Sequence, residues 1–163
     1  MLFRSEAACE MARTLAVDYL ELRTPDVRPD PPGFARQALY ATFTHPIDPD
    51  EEAMRKSFPR DVRRMIRLGS RNGLSVEFGG EELLDAFYAV YATSVRNLGT
   101  PVFPRRLFAS FLRQFPEASE ILLVRQGARI AGAVLSFYFR DTVLPYYGGA
   151  YPAVYRAGVN NFM

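Results

Sequence analysis

The stretch EILLVRQGARIAGAVLSFYFRDTVLPYYGG, residues 120–149, decides how the chain folds. It reads as three strands, 120–125, 129–139 and 142–149, joined by tight turns at Gln126-Gly127 and Arg140-Asp141. The middle strand is apolar on both of its alternating faces. Gly132, Val134, Ser136 and Tyr138 lie on one, and Ala133, Leu135, Phe137 and Phe139 on the other. A strand covered on both sides reads that way. The expectation is a mostly antiparallel sheet with helices on both faces, an α+β layered fold.

With Arg140-Asp141 as a two-residue loop, Phe139 pairs with Thr142 and Ser136 faces Pro145. Proline has no N–H, so the ladder breaks on one side there. That implies an edge, a bulge, or a place where the next strand splays away. A splay leaves backbone groups for an extended ligand to pair with. Gly148 and Gly149 would let such a ligand approach closely. A plain edge strand ending in a glycine turn accounts for the same residues.

Working toward the N-terminus, residues 81–98 form a long amphipathic helix with Leu84, Phe87, Tyr88, Tyr91, Val95 and Leu98 as its buried stripe. A shorter helix covers 105–115, and 74–78 is a strand. The helix over 58–71 has Ser57 as a candidate cap and Asn72-Gly73 as its stop. Residues 48–52 (DPDEE) are an acidic helix entry. Further back, 6–17 reads as a helix, and 19–23 and 39–44 as short strands on either side of a loop rich in proline (Pro25, Pro29, Pro31, Pro32). Beyond the sheet, 153–163 reads as a helix without a stop signal. The chain therefore reads as a fragment. Residues 1–53 would end an N-terminal lobe, and 54–163 would be the first part of a C-terminal lobe.

Composition narrows the chemistry. Of 163 residues, 48% are hydrophobic and 23% charged, with a net charge of +2. This is globular composition with no disordered signature. A single cysteine, Cys9, and a single histidine, His45, exclude a disulfide framework and a Cys- or His-cluster metal site. The apolar run at 130–139 is about half of the roughly 20 residues a membrane span needs. The first residues lack a signal-peptide pattern, so a cytoplasmic location is expected.

The most one-sided charge pattern lies in the helix over 58–71. At 100° per residue, Arg60, Arg63, Arg64, Arg67 and Arg71 fall within an arc of about 100°. Phe58, Val62, Met65, Ile66 and Gly69 fall on the opposite side. Residues 54–71 hold seven basic residues and one acid, a charge of +6, which leaves −4 for the remainder. The ridge is a candidate phosphate contact, for RNA or a nucleotide-linked substrate. A solvated amphipathic face explains it equally well.

Three blocks carry a family resemblance. They are Phe58-Pro59-Arg60-x-x-Arg63-Arg64-Met65-x-Arg67, then 98–104 (LGTPVFP), then 135–149 (LSFYFRDTVLPYYGG). The chain resembles the FemAB-related proteins associated with the PEP-CTERM/exosortase system. These belong to the GNAT (acyl-CoA N-acyltransferase) superfamily and its BioF2-like acetyltransferase group. The resemblance implies transfer of an acyl or aminoacyl group to an amine acceptor, linked to cell-envelope or exopolysaccharide biogenesis. It implies no tightly bound cofactor, and acyl-CoA or aminoacyl-tRNA as the donor substrate, with tRNA as a partner of the Arg ridge.

The family splays two central strands and holds the carrier in the gap. That assigns donor binding to Ser136, Pro145, Gly148, Gly149, Arg156 and Gly158. Gly158 stands at a glycine of the pyrophosphate loop Q/R-x-x-G-x-G/A, whereas Asn160 replaces its small residue. Tyr146 or Tyr147 would donate a proton to the leaving group. The fragment alone is expected to be inactive and to self-associate through an unpaired sheet edge. A non-enzymatic RNA- or anion-binding module built on the Arg helix is the competing reading.

Overall fold

The computed structural model describes residues 2–23, 32–36 and 41–163. The chain divides into two units, Met1–Ile47 and Asp48–Met163. In the first, α1 spans Leu2–Thr14. The strand expected over 19–23 is absent, because these residues are irregular. Its alternation is matched by no partner strand among the described residues. Of the strand expected over 39–44, Ala41 to Thr44 are irregular, and Leu39 and Tyr40 lie outside the described residues.

The second unit opens with α2, Glu51–Ser57. Asp50 caps it, its Oδ1 accepting from the Glu52 and Ala53 amides at 2.8 and 3.3 Å. Helix α3, Arg60–Arg71, follows after a break at Phe58-Pro59. Ser57 does not cap it. Ser57 closes α2 instead, its hydroxyl donating to the Met54 carbonyl at 2.7 Å. The acidic turn and the Arg ridge thus sit on separate helices.

Strand β1, Leu74–Gly79, leads through a 3₁₀ turn at Glu81–Leu83 into α4, Leu84–Asn97, and then α5, Arg105–Gln114. The sheet continues with β2 (Ser119–Gln126), β3 (Arg129–Phe139) and β4 (Thr142–Ala150). Strand order is β1-β2-β3-β4 and every pairing is antiparallel. The first tight turn is Gly127-Ala128, one residue later than expected, since Gln126 still pairs with Arg129. The second is Arg140-Asp141 as expected. Arg140 takes φ 57° there and lays its guanidinium over the Phe139 ring, 5.1 Å from the centroid.

Helices cover both faces. Ile121, Leu123, Ala133 and Leu135 pack against Leu84, Phe87, Val90 and Tyr91 of α4 and Phe108, Ala109 and Leu112 of α5. Phe87 and Phe108 are fully buried, each worth roughly 1.5–3 kcal/mol of apolar burial. Leu98, expected in the stripe, caps the C-terminus of α4 and faces solvent. On the other face, Leu74, Val124, Ala131 and Ala150 pack with Val159. Val159 belongs to α6, Val159–Phe162. The single helix expected over 153–163 is broken, with a 3₁₀ segment at Pro152–Ala157 and Gly158 at φ 88° separating it from α6. Helix α3 lies on α6, with Phe162 against Gly69.

Candidate functional site

Strand β4 pairs with β3 on one side, and its other edge has no strand partner among the described residues. Pro145 sits opposite Ser136, as the turn length dictates, but the next pair is Leu135 with Tyr147. Tyr146 is therefore an extra residue, a β-bulge. The missing proline N–H is absorbed by this local break in the ladder.

The bulge has a consequence that strand alternation does not foretell. Adjacent strand residues point to opposite faces, yet the Tyr146 and Tyr147 rings lie 4.7 Å apart, edge to face, at 72°. The Tyr147 ring stands on the α4/α5 side, and the Tyr146 ring lies against it. Tyr147 goes inward and meets Phe108 at 5.1 Å, Tyr91 at 5.9 Å and Phe103 at 6.1 Å. Tyr146 is 61% exposed. Burial pushes the Tyr147 phenol above its ordinary value, and the neighbouring Tyr146 adds to the shift. At neutral pH the hydroxyl is therefore held protonated. Tyr91 is raised by burial, with Tyr147 and Tyr88 adding and the Phe103 backbone opposing. Tyr88 donates to the Phe103 carbonyl at 3.1 Å, which ties the loop before α5 to this wall. The aromatic wall of α4 and α5 around Tyr147 escaped the sequence reading. Its residues look like ordinary helix-stripe positions until the bulge brings Tyr147 among them.

The other candidate residues are placed as follows. Ser136 and Pro145 are directly cross-paired, on the face opposite Tyr147. On that same face Tyr138 donates to Glu120 Oε2 at 2.7 Å, a diagonal cross-strand pair not foreseen from the sequence. That hydrogen bond is the main reason the Tyr138 phenol is raised. A Cβ on Gly149 would collide with Ser94 Cβ and lie 2.6 Å from its Oγ, so α4 occupies the space above this residue. Gly148 lies against Ala133 O and Val134. Gly158 is buried, and a Cβ there would lie 2.8 Å from Met65 O of α3. Arg156 is exposed on the Pro152–Ala157 segment.

The five arginines remain together on α3. Arg60, Arg64, Arg67 and Arg71 are exposed and Arg63 is half-buried. Arg63 and Arg67 also border an open groove of about 490 Å³, shared with the capping Asp50 and with Glu51, Glu52, Arg55 and Lys56 of α2. The α2 acids pair within their own helix, Glu51 with Arg55 at 2.8 Å and Glu52 with Lys56 at 2.9 Å. Among the described residues, no cluster of three or more acidic, histidine or cysteine side chains is arranged to hold a metal ion. No helix among them is long and apolar enough to cross a membrane.

Comparison with known proteins adds one match. The family model described as the acetyltransferase (GNAT) domain matches residues 56–163, about two thirds of the chain. No curated protein matches the chain. The matched span starts just before α3 and takes in the whole antiparallel sheet, its covering helices and the bulged strand. The chain belongs to the GNAT acetyltransferase domain family.

Proposed function

We propose that the chain carries the donor-binding part of an acyl-CoA-dependent N-acyltransferase site, built along the open edge of β4. The observation that supports it is the bulge after Pro145. It interrupts the ladder at an edge strand and sets an exposed phenol beside a buried one. The unpaired N–H and C=O groups of β4 would bind the amide-bearing arm of the carrier as a further strand would. Arg156, exposed after the end of β4, would meet its phosphates.

In this reading the amine lone pair attacks the thioester carbonyl carbon and forms the C–N bond. A strand N–H steadies the oxyanion. The C–S bond then breaks, and the departing sulfur takes the proton of the Tyr146 hydroxyl. The amine proton leaves to solvent and the phenol is restored, giving an amide and a free thiol. Tyr147 fixes the Tyr146 ring by edge-to-face contact, so much of the rate enhancement would come from holding the two reactants together.

Titrating the chain with acetyl-CoA by calorimetry tests the first half of this reading, and saturable binding is expected. Tyr146→Phe should leave that binding within about twofold and lower transfer to an amine roughly 100-fold. A donor screen that includes a charged tRNA decides the carrier. Transfer from the tRNA ester alone would replace acyl-CoA in this proposal. Unchanged turnover in Tyr146→Phe would remove the phenol from the chemistry.

A further inference from the structure

The ridge on α3 is not used by the acyl-transfer reading, and it sets four exposed arginines on one side of a helix. Arg60, Arg64, Arg67 and Arg71 are exposed along one side of a twelve-residue helix. Along the axis they are spaced by about 6, 4.5 and 6 Å, roughly 16 Å from first to last. None of the four has an ion pair with an acid among the described residues. The opposite side of the helix is fixed in place. Gly69 abuts Phe162 and Leu74, and the Met65 carbonyl abuts Gly158. The row of cations is therefore held on a braced helix, and like charges at this spacing disfavour that helix unless an anion offsets them.

We infer that this ridge is a binding surface for single-stranded nucleic acid, contacting successive phosphates of one extended strand. A line of guanidinium forks at this spacing matches a row of phosphates, each fork able to grip one bidentately. On its Arg63 and Arg67 side the ridge borders a groove of mixed charge, lined by Asp50, Glu51 and Glu52 together with Arg55 and Lys56, the two glutamates being paired with those two cations. The strand runs along the exposed row of Arg60, Arg64, Arg67 and Arg71. An anionic membrane is the poorer fit. A helix lying on a bilayer buries its apolar side in lipid, and the apolar side of α3 already faces α6 and β1.

The test uses the 163-residue chain and a labelled twelve-nucleotide oligouridylate, followed by fluorescence anisotropy between 50 and 200 mM salt. Four phosphate contacts predict a log–log salt slope of about −3, hence a loss of affinity of roughly 50-fold over that range. The variant Arg60→Ala/Arg64→Ala/Arg67→Ala/Arg71→Ala should bind at least tenfold more weakly at 50 mM and show a slope near zero. A matching circular dichroism spectrum and melting curve would establish that it is folded. Glu51→Gln/Glu52→Gln should bind severalfold more tightly, since it removes the flanking negative charge. Equal binding by the quadruple variant overturns the proposal. So does preference for vesicles containing phosphatidylglycerol over the oligonucleotide. The donor site on β4 is tested separately, because acetyl-CoA binding should be unchanged in the quadruple variant.

Discussion

At Gly158 the chain turns with φ 88° while the α3 backbone passes within 2.8 Å of where a Cβ would be. An L side chain in this region costs roughly 1–2 kcal/mol, and the contact with Met65 O adds to that. Gly73 is the natural control. It has φ 71° but open space around it. Urea unfolding should show Gly73→Ala destabilised by about 1 kcal/mol, and Gly158→Ala by clearly more, with α3 displaced. A second residue-scale expectation concerns the phenols. Burial raises Tyr91 and Tyr147, so above about pH 10 the unfolded chain releases these protons before the folded chain does. Stability should then be flat below pH 10 and fall as pH rises through the raised values. Unfolding midpoints measured from pH 8 to 11.5 check this, and Tyr147→Phe should make the alkaline fall shallower.

At the scale of the element, β4 depends on one supernumerary residue. Deleting Tyr146 lets Pro145 and Tyr147 follow one another opposite Ser136 and Leu135, so the pairing becomes regular and no other side chain changes face. The deletion should leave the far-ultraviolet spectrum intact and the melting temperature within a few degrees. Transfer should fall by roughly 100-fold. Much of this element was legible beforehand. The two-residue turn at Arg140-Asp141 placed Ser136 opposite Pro145, and proline chemistry demanded a break nearby. The position of the bulge was not legible, because either neighbour of Pro145 could have been the extra residue. That single ambiguity concealed the pairing of Tyr146 with Tyr147 and the aromatic wall behind it. The Arg ridge followed directly from helical spacing. The strand over 19–23 failed for the opposite reason: local alternation was present without a partner strand among the described residues to reward it.

On the scale of the molecule, the sheet and both its helical layers lie within Asp48–Met163. A chain starting at Asp48 keeps the Asp50 cap of α2 and every strand pairing. It should unfold cooperatively with a midpoint close to that of the 163-residue chain, measured by circular dichroism in urea. Loss of cooperativity would mean that the first 47 residues contribute to the core. The ion pairs joining α5 to the start of α4, Arg105 with Asp85 at 2.6 Å and Arg113 with Glu81 at 3.0 Å, are solvent-exposed. Such pairs are worth about 0–1 kcal/mol, so adding salt should move that midpoint little.

The order in which the strands neighbour one another also sets how the chain reaches this state. Strands β2, β3 and β4 are consecutive hairpins, each closed by two residues, and they can zip early at small entropic expense. Strand β1 must wait for residues 80–118 to be gathered in, and those residues are α4 and α5. The slow step of refolding should therefore be the docking of the helical layer that brings β1 home. Core truncations in α4, such as Phe87→Ala, should alter both rates because docking is under way at the barrier, whereas changes at the Gly127-Ala128 turn, already formed there, should chiefly slow refolding and leave the unfolding rate nearly unchanged.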